Sequence, residues 1–141
     1  MSATGKAREA GFTLLEALVV VTIAATISAL IFPSLQRTLT ALSLRQSASV
    51  FTARLRAARG QAIREARPIA VAATTDGAAY AWTGAQPQRL PGAVRLATAG
   101  QRPLVFYPDG SSSGGQAVMA AGARRIPISV DASTGAVMAR P

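Results

Sequence analysis

Between Phe12 and Phe32 the chain runs for 21 residues with one charge among them, Glu16. At helical rise such a run spans roughly 30 Å, the thickness of a bilayer's hydrocarbon core. A helix apolar on every side must be surrounded by lipid or by other apolar helices, so this end of the molecule is not part of a globular surface. An ionised side chain within it costs on the order of 3 kcal/mol on insertion scales, so Glu16 is expected to have a use. Lys6 and Arg8 give the run a basic leader. Two plainer readings compete: a secretory signal cut near Ala29, and a membrane anchor in which Glu16 is incidental. The run is longer than the apolar part of an ordinary signal and carries its charge near the start, which weighs against the first.

The residues at the start of the run are Gly11-Phe12-Thr13-Leu14-Leu15-Glu16. They resemble the N-terminal methylation motif of type IV prepilins and of type II secretion pseudopilins. The resemblance implies a leader, residues 1–11, removed by a prepilin peptidase that cuts after Gly11 and methylates the new amine on Phe12. It also implies that Glu16, five residues into the mature chain, meets that amine during filament assembly. Residues 12–33 would then be the transmembrane and filament-core helix, in a single-pass protein of the bacterial inner membrane.

Pro33 lies just past the apolar core; an internal proline removes one helix hydrogen bond and kinks a helix more often than it ends it. Beyond it, Leu35, Leu39, Leu42, Phe51, Leu55, Ala58 and Ala62 recur at spacings of three, four or a multiple. They predict an amphipathic continuation over residues 34–67, with Arg37, Arg45, Arg54, Arg56, Arg59 and Arg64 on its polar side. The helix from Phe12 to near Ala66 would be about 80 Å long. After Pro68 the period changes from 3.6 to 2. Ile69, Val71 and Ala73 alternate, Asp76-Gly77 supplies a turn, and Tyr80 with Trp82, then Val94 with Leu96, share faces. Leu104–Tyr107 reads as a buried strand, followed by Val118 with Ala120, then Ile126, Ile128 and Val130, and last Val137 after the Thr134-Gly135 turn. Pro127 predicts an edge strand or a bulge. Six or seven short strands over residues 68–141 predict an antiparallel β-sheet domain. The fold class is α+β and pilin-like: one long N-terminal helix, transmembrane in its first half, packed on that sheet domain in the periplasm.

Composition narrows the chemistry. The chain has no cysteine and no histidine, which removes thiolate chemistry, disulfides and the commonest general base and metal ligand. The serines lack an adjacent base, and the one lysine, Lys6, falls in the leader. Gly110 to Gly115 is not a phosphate loop, since no lysine follows it. A calcium cage would need more carboxylates than Asp109 alone. The reading is no enzyme, no cofactor and no metal. Net charge is +9. Removing Lys6, Arg8 and Glu9 with the leader leaves 13 basic and 5 acidic side chains, a charge of +8. Such a balance suits anionic partners or simply a soluble surface.

A second stretch, Asp109-Gly110-Ser111-Ser112-Ser113-Gly114-Gly115, precedes Gly122-Ala123-Arg124-Arg125 and, further on, Thr134-Gly135. It is similar to the C-terminal region of H-type minor pseudopilins, the GspH/FimT-like family. From the residues alone the loop reads as a wide hairpin, since glycine accepts positive φ while Asp and Ser bond nearby backbone. The resemblance adds a loop, Asp109 to Gly115, that contacts a partner. It implies a minor pseudopilin of the type II secretion pseudopilus, at its tip, supporting export of folded proteins. The implied partners are other minor and major pseudopilins, the prepilin peptidase, the inner-membrane assembly platform and secreted substrates. The alternative is a FimT-like minor type IV pilin that binds DNA for natural transformation, with Arg124, Arg125 and Arg140 as anion contacts. FimT-like binders are associated with a glycine-arginine-x-arginine ending, where this chain has Gly135-Ala136-Val137-Met138.

Overall fold

The computed structural model describes residues 13–140; Gly11 and Phe12 lie outside the described residues. The chain divides into two compact units, Met1–Arg37 and Thr38–Pro141. Helix α1, Leu14–Glu65, contributes to both and contains Pro33. In the first unit every described side chain is exposed, Leu14 through Phe32 included. Thr13 starts α1: its hydroxyl accepts the Glu16 backbone N–H at 3.2 Å. Thr13-Leu14-Leu15-Glu16 therefore has the spacing of a capping box, with the carboxylate in the first turn, where the helix dipole favours it. The hydroxyls inside the apolar run are satisfied within the helix. Thr22 donates to the Leu18 carbonyl (2.7 Å), Thr26 to that of Thr22 (2.8 Å) and Ser28 to that of Ala24 (2.7 Å). This is what a hydrocarbon medium demands of polar groups.

In the second unit the helix buries Leu44, Ala48, Phe51, Leu55, Ala58 and Ala62. Their spacings alternate between four and three, which keeps one face turned inward. The stripe expected from Leu35, Leu39 and Leu42 is wrong: all three are more than half exposed. From Leu42 to Phe51 is nine residues, two and a half turns, so that spacing crosses to the opposite side of the helix. α1 ends at Glu65, two residues before the expected Arg67, because Ala66 takes a positive φ of 49°. Glycine is the residue that suits such a helix end, so Ala66→Gly should stabilise the domain by about 1 kcal/mol, read from denaturant melts.

Eight strands follow: β1 Ile69–Ala73, β2 Ala79–Trp82, β3 Gln88–Arg89, β4 Arg95–Thr98, β5 Leu104–Phe106, β6 Gly115–Ala121, β7 Arg124–Val130 and β8 Val137–Ala139. They form two antiparallel sheets rather than one, in the orders β3-β2-β1-β5 and β4-β6-β7-β8. Ile69, Val71, Tyr80 and Phe106 of the first sheet and Leu96, Met119, Ile128 and Val130 of the second meet the helix stripe in one core. Phe51 packs edge-on against Tyr80, centroids 4.9 Å apart. Tyr107 falls outside β5 and is 40% exposed, because the Pro108-Asp109-Gly110 turn begins there, with Gly110 N–H donating to its carbonyl.

Two strand expectations are corrected. In β6 the inward residues are Ala117, Met119 and Ala121, while Val118 and Ala120 face outward. β7 is not an edge, since β6 and β8 flank it. Pro127 is tolerated because its carbonyl accepts the Arg140 N–H on the β8 side. Its nitrogen points the same way, past the last residue of β8, so no bond of the β6 ladder is lost.

Candidate functional site

The Asp109–Gly115 loop is tied down from three directions. Asp109 closes on itself: its carboxylate accepts the Ser111 N–H at 2.9 Å and the Ser111 hydroxyl at 2.6 Å. Ser112 is buried, donating its hydroxyl to the Asp131 carbonyl (2.8 Å) and its N–H to the Ala132 carbonyl (2.9 Å). Its oxygen in turn accepts the Gly114 N–H at 3.0 Å. Ser113 accepts the Val105 N–H through its hydroxyl at 3.0 Å, extending β5. From the helix, Arg59 Nε–H donates to the Gly110 carbonyl at 2.8 Å. Gly110 and Ser112 are thus structural, and of the loop only Asp109, Ser113 and Gly115 are exposed.

The Asp131–Gly135 turn on the other side of Ser112 is equally self-contained. The Asp131 carboxylate accepts both N–H and O–H from Ser133 and from Thr134, at 2.7–3.0 Å. The Ser133 hydroxyl, with these other donors, holds its pKa down at about 2, against an ordinary 3.8. Asp109 is lowered in the same direction, chiefly by the Ser111 hydroxyl, and Asp76 by that of Thr74. A pKa lower in the folded state means stability present above the unfolded value and lost as pH falls through the folded one. Stability should therefore fall between pH about 4 and about 2. Asp131→Asn should flatten that part of the profile, measured by melting across the range.

Of the arginines expected on the polar side of α1, Arg37, Arg45, Arg54, Arg56 and Arg64 are exposed and Arg59 is partly covered. Arg59 and Arg56 reach the sheet domain, the latter donating to the Val137 carbonyl at 3.3 Å. The Arg54 guanidinium sits 5.4 Å from the Trp82 ring centroid. Of Arg124, Arg125 and Arg140, the anion contacts of the alternative reading, Arg125 and Arg140 share one face of the second sheet and Arg124 does not. Arg124 and Arg125 are neighbours in β7 and point to opposite faces, while Arg140 N–H pairs with Pro127. The residue that sequence reasoning missed is Arg95, in register with Ala120 and through it with Arg125. That pairing joins strands 25 and more residues apart, so no local signal could find it.

Among the described residues no set of three acidic, histidine or cysteine side chains could hold a metal ion. What the site does chemically is hold shape: two Asp-anchored turns and one guanidinium fix the end of the sheet domain against the helix.

This fold is that of the pilin-like subunits. The chain matches the family described as type II transport protein GspH over residues 47–134, more than half its length, and belongs to it. Residues 6–32 match the prokaryotic N-terminal methylation motif. No curated protein matches the chain. Among solved structures it is similar to the type IV minor pilin FimU of Pseudomonas aeruginosa, at 18% identity and a TM-score of 0.57, covering 70% of this chain and 88% of that one. It is also similar to the minor pseudopilin EpsH from the type 2 secretion system of Vibrio cholerae, at 12% identity and a TM-score of 0.58, covering 70% and 96%. The family is one of structural pseudopilins that assemble with one another in a filament, not of enzymes. In such a chain the apolar start of α1 is a single-pass membrane anchor.

Proposed function

We propose that the protein is a minor pseudopilin of a type II secretion system. It would be processed after Gly11, methylated on Phe12 and built into the short filament, at its tip, that drives folded proteins across the outer membrane. The observation that carries this reading is the conjunction of two matches in one chain: the GspH family over the sheet domain and the methylation motif at the membrane helix. In the proposal a prepilin peptidase and an inner-membrane assembly platform act on the N-terminal segment, and residues 68–141 lie in the periplasm. Glu16 enters the filament core neutralised by a neighbour's Phe12 amine, since a lone carboxylate among apolar helices is costly. The Asp109, Ser113 and Gly115 edge of the loop faces a neighbouring subunit or cargo.

The test is a gene deletion scored for two outputs, exoprotein in the medium and frequency of DNA uptake. Lost secretion with intact uptake supports the proposal. Intact secretion with lost uptake overturns it in favour of the type IV pilus.

A further inference from the structure

Among the described residues the two sheets end in four edge strands, and the chain itself engages three of them. On β5, Val105 N–H donates to the Ser113 hydroxyl at 3.0 Å, and its carbonyl accepts the Ser113 N–H at 2.8 Å. On β4, Leu96 N–H donates to the Gly77 carbonyl at 2.9 Å. On β8, the Val137 carbonyl accepts from Arg56. The fourth edge, β3, is open. Leu90 N–H donates to the Ala78 carbonyl at 2.8 Å, so the alternation of an antiparallel ladder turns the N–H and C=O of Arg89 away from β2. Arg89 lines a groove of about 330 Å³ between β3 and helix α1, whose helix wall carries Ser43, Gln46, Ser47 and Val50. Ser47 is 7% exposed, yet among the described residues its hydroxyl has no hydrogen-bond partner. Buried Thr52, on the same helix, returns its hydroxyl to the Ala48 carbonyl at 2.8 Å. The Ser47 oxygen is not sealed off from outside, so what reaches it comes through the groove. A buried hydroxyl in that state calls for a partner. Gln88 is half-used in the same place: its side-chain oxygen accepts the Tyr80 hydroxyl at 3.1 Å, while its amide nitrogen donates to no group among the described residues.

We propose that this groove takes an extended segment of a partner protein, added to β3 as a further strand, with an acidic side chain opposite Arg89. An extended main chain shows N–H and C=O groups along its edge, which is what the outward backbone of Arg89 lacks. Main-chain pairing of this kind gives affinity, and the alternating side chains give selectivity. On the inward side the segment meets Val50 and Leu90, which are apolar, and the open hydroxyl of Ser47 and amide of Gln88. From Ser43 to Val50 the helix rises about 10 Å, the length of three extended residues. The Arg89 side chain points to the other side of the sheet from that of Gln88. No carboxylate lies within 4.0 Å of it, since the one salt bridge among the described residues joins Arg67 to Glu65. Side chains directly opposite on neighbouring strands interact, so a carboxylate there favours the pairing. The same rule disfavours a second copy joined β3 to β3, which sets two Arg89 side chains against each other. Single-stranded nucleic acid is held by open aromatic faces in a groove of cations. Here the Tyr80 ring is buried and Arg89 is the one cation lining the groove. The inference rests on the residues of this groove and stands whether or not the filament reading does.

The full chain in its own cells tests it, with the photocrosslinker p-benzoylphenylalanine placed at Gln46 and, as control, at Gln116 on the second sheet, both exposed. Crosslinked products are mapped by mass spectrometry to the residues joined. The expected result is a heterologous protein joined from position 46 and not from 116, through one segment that contains an acidic residue. Arg89→Pro should reduce that product about tenfold and Arg89→Ala less, because alanine keeps the outward N–H that proline removes. Neither change takes a ladder bond from β2, so the level and melting of the chain should hold. Ser47→Ala breaks no hydrogen bond within the protein and should reduce the product about fivefold. If Arg89→Pro lowers the melting temperature, Ser47→Ala decides. The proposal is overturned if position 46 crosslinks no better than 116, or if the product is a second copy of the chain or a nucleic acid. It is equally overturned if Arg89→Ala does as much damage as Arg89→Pro, or if Ser47→Ala leaves the product intact.

Discussion

Gly135→Ala should unfold the end of the sheet domain and cost about 3 kcal/mol, the sum of a left-handed residue bearing a side chain and an overpacked contact. Gly135 has φ of 63°, and a Cβ there would fall on the Gly110 carbonyl oxygen and within 2.8 Å of Arg59 Nε. The collision therefore strikes the same hydrogen bond that fastens the loop to the helix. Gly122 supplies the control. It occupies the first position of the two-residue β6–β7 turn with φ of 60°, and a Cβ there meets nothing within 4 Å. Gly122→Ala should cost only the conformational part, about 1 kcal/mol. The difference between the two, from melts of the full chain in detergent, measures the close approach at Gly135. Arg59→Ala should lose about 2 kcal/mol, as expected when a charged donor leaves a half-buried carbonyl. If Gly135→Ala and Gly122→Ala melt together, the latch is not where the domain's stability resides.

None of this latch was legible in the sequence, although both of its turns were. Asp-Gly and Thr-Gly announce turns through local backbone chemistry. Arg59 and Gly110 are 51 residues apart, and Arg56 and Val137 are 81 apart, distances at which no periodicity operates. The helix was legible in type and almost in length, because an apolar run followed by a threes-and-fours stripe leaves little choice. Its inward face was legible only from Phe51 onward, where the spacings stay within one turn. Strand phase depended on contrast. β7, with Ile126, Ile128 and Val130 alternating with Arg125, Pro127 and Ser129, showed its buried side directly. β6 has Ala, Val and Met at every position from Ala117 to Ala121, so alternation could not say which set faces in. The ambiguity is physical, since both of its faces are apolar.

Glu16→Ala should leave cleavage after Gly11 intact and reduce incorporation into filaments at least tenfold. The carboxylate has two jobs available to it, and they predict different variants. One lies within its own chain: it occupies the third position of α1, after the Thr13 cap, where a negative charge complements the helix dipole. That contribution is worth about 0.5 kcal/mol at an exposed helix end, too little to offset the roughly 3 kcal/mol of carrying an ion into hydrocarbon. The other is the proposed pairing with a neighbour's Phe12 amine, which neutralises both charges as the helices pack. Glu16→Gln separates them. Glutamine keeps the capping-box geometry and removes the charge, so it serves the first job and not the second. Under the pairing proposal Glu16→Gln should fail in assembly as Glu16→Ala does, with both variants still processed, as judged by mass of the mature chain and by sheared-filament yield. Assembly of the glutamine variant at the native level would reduce Glu16 to a helix-capping residue and remove charge neutralisation from the assembly step.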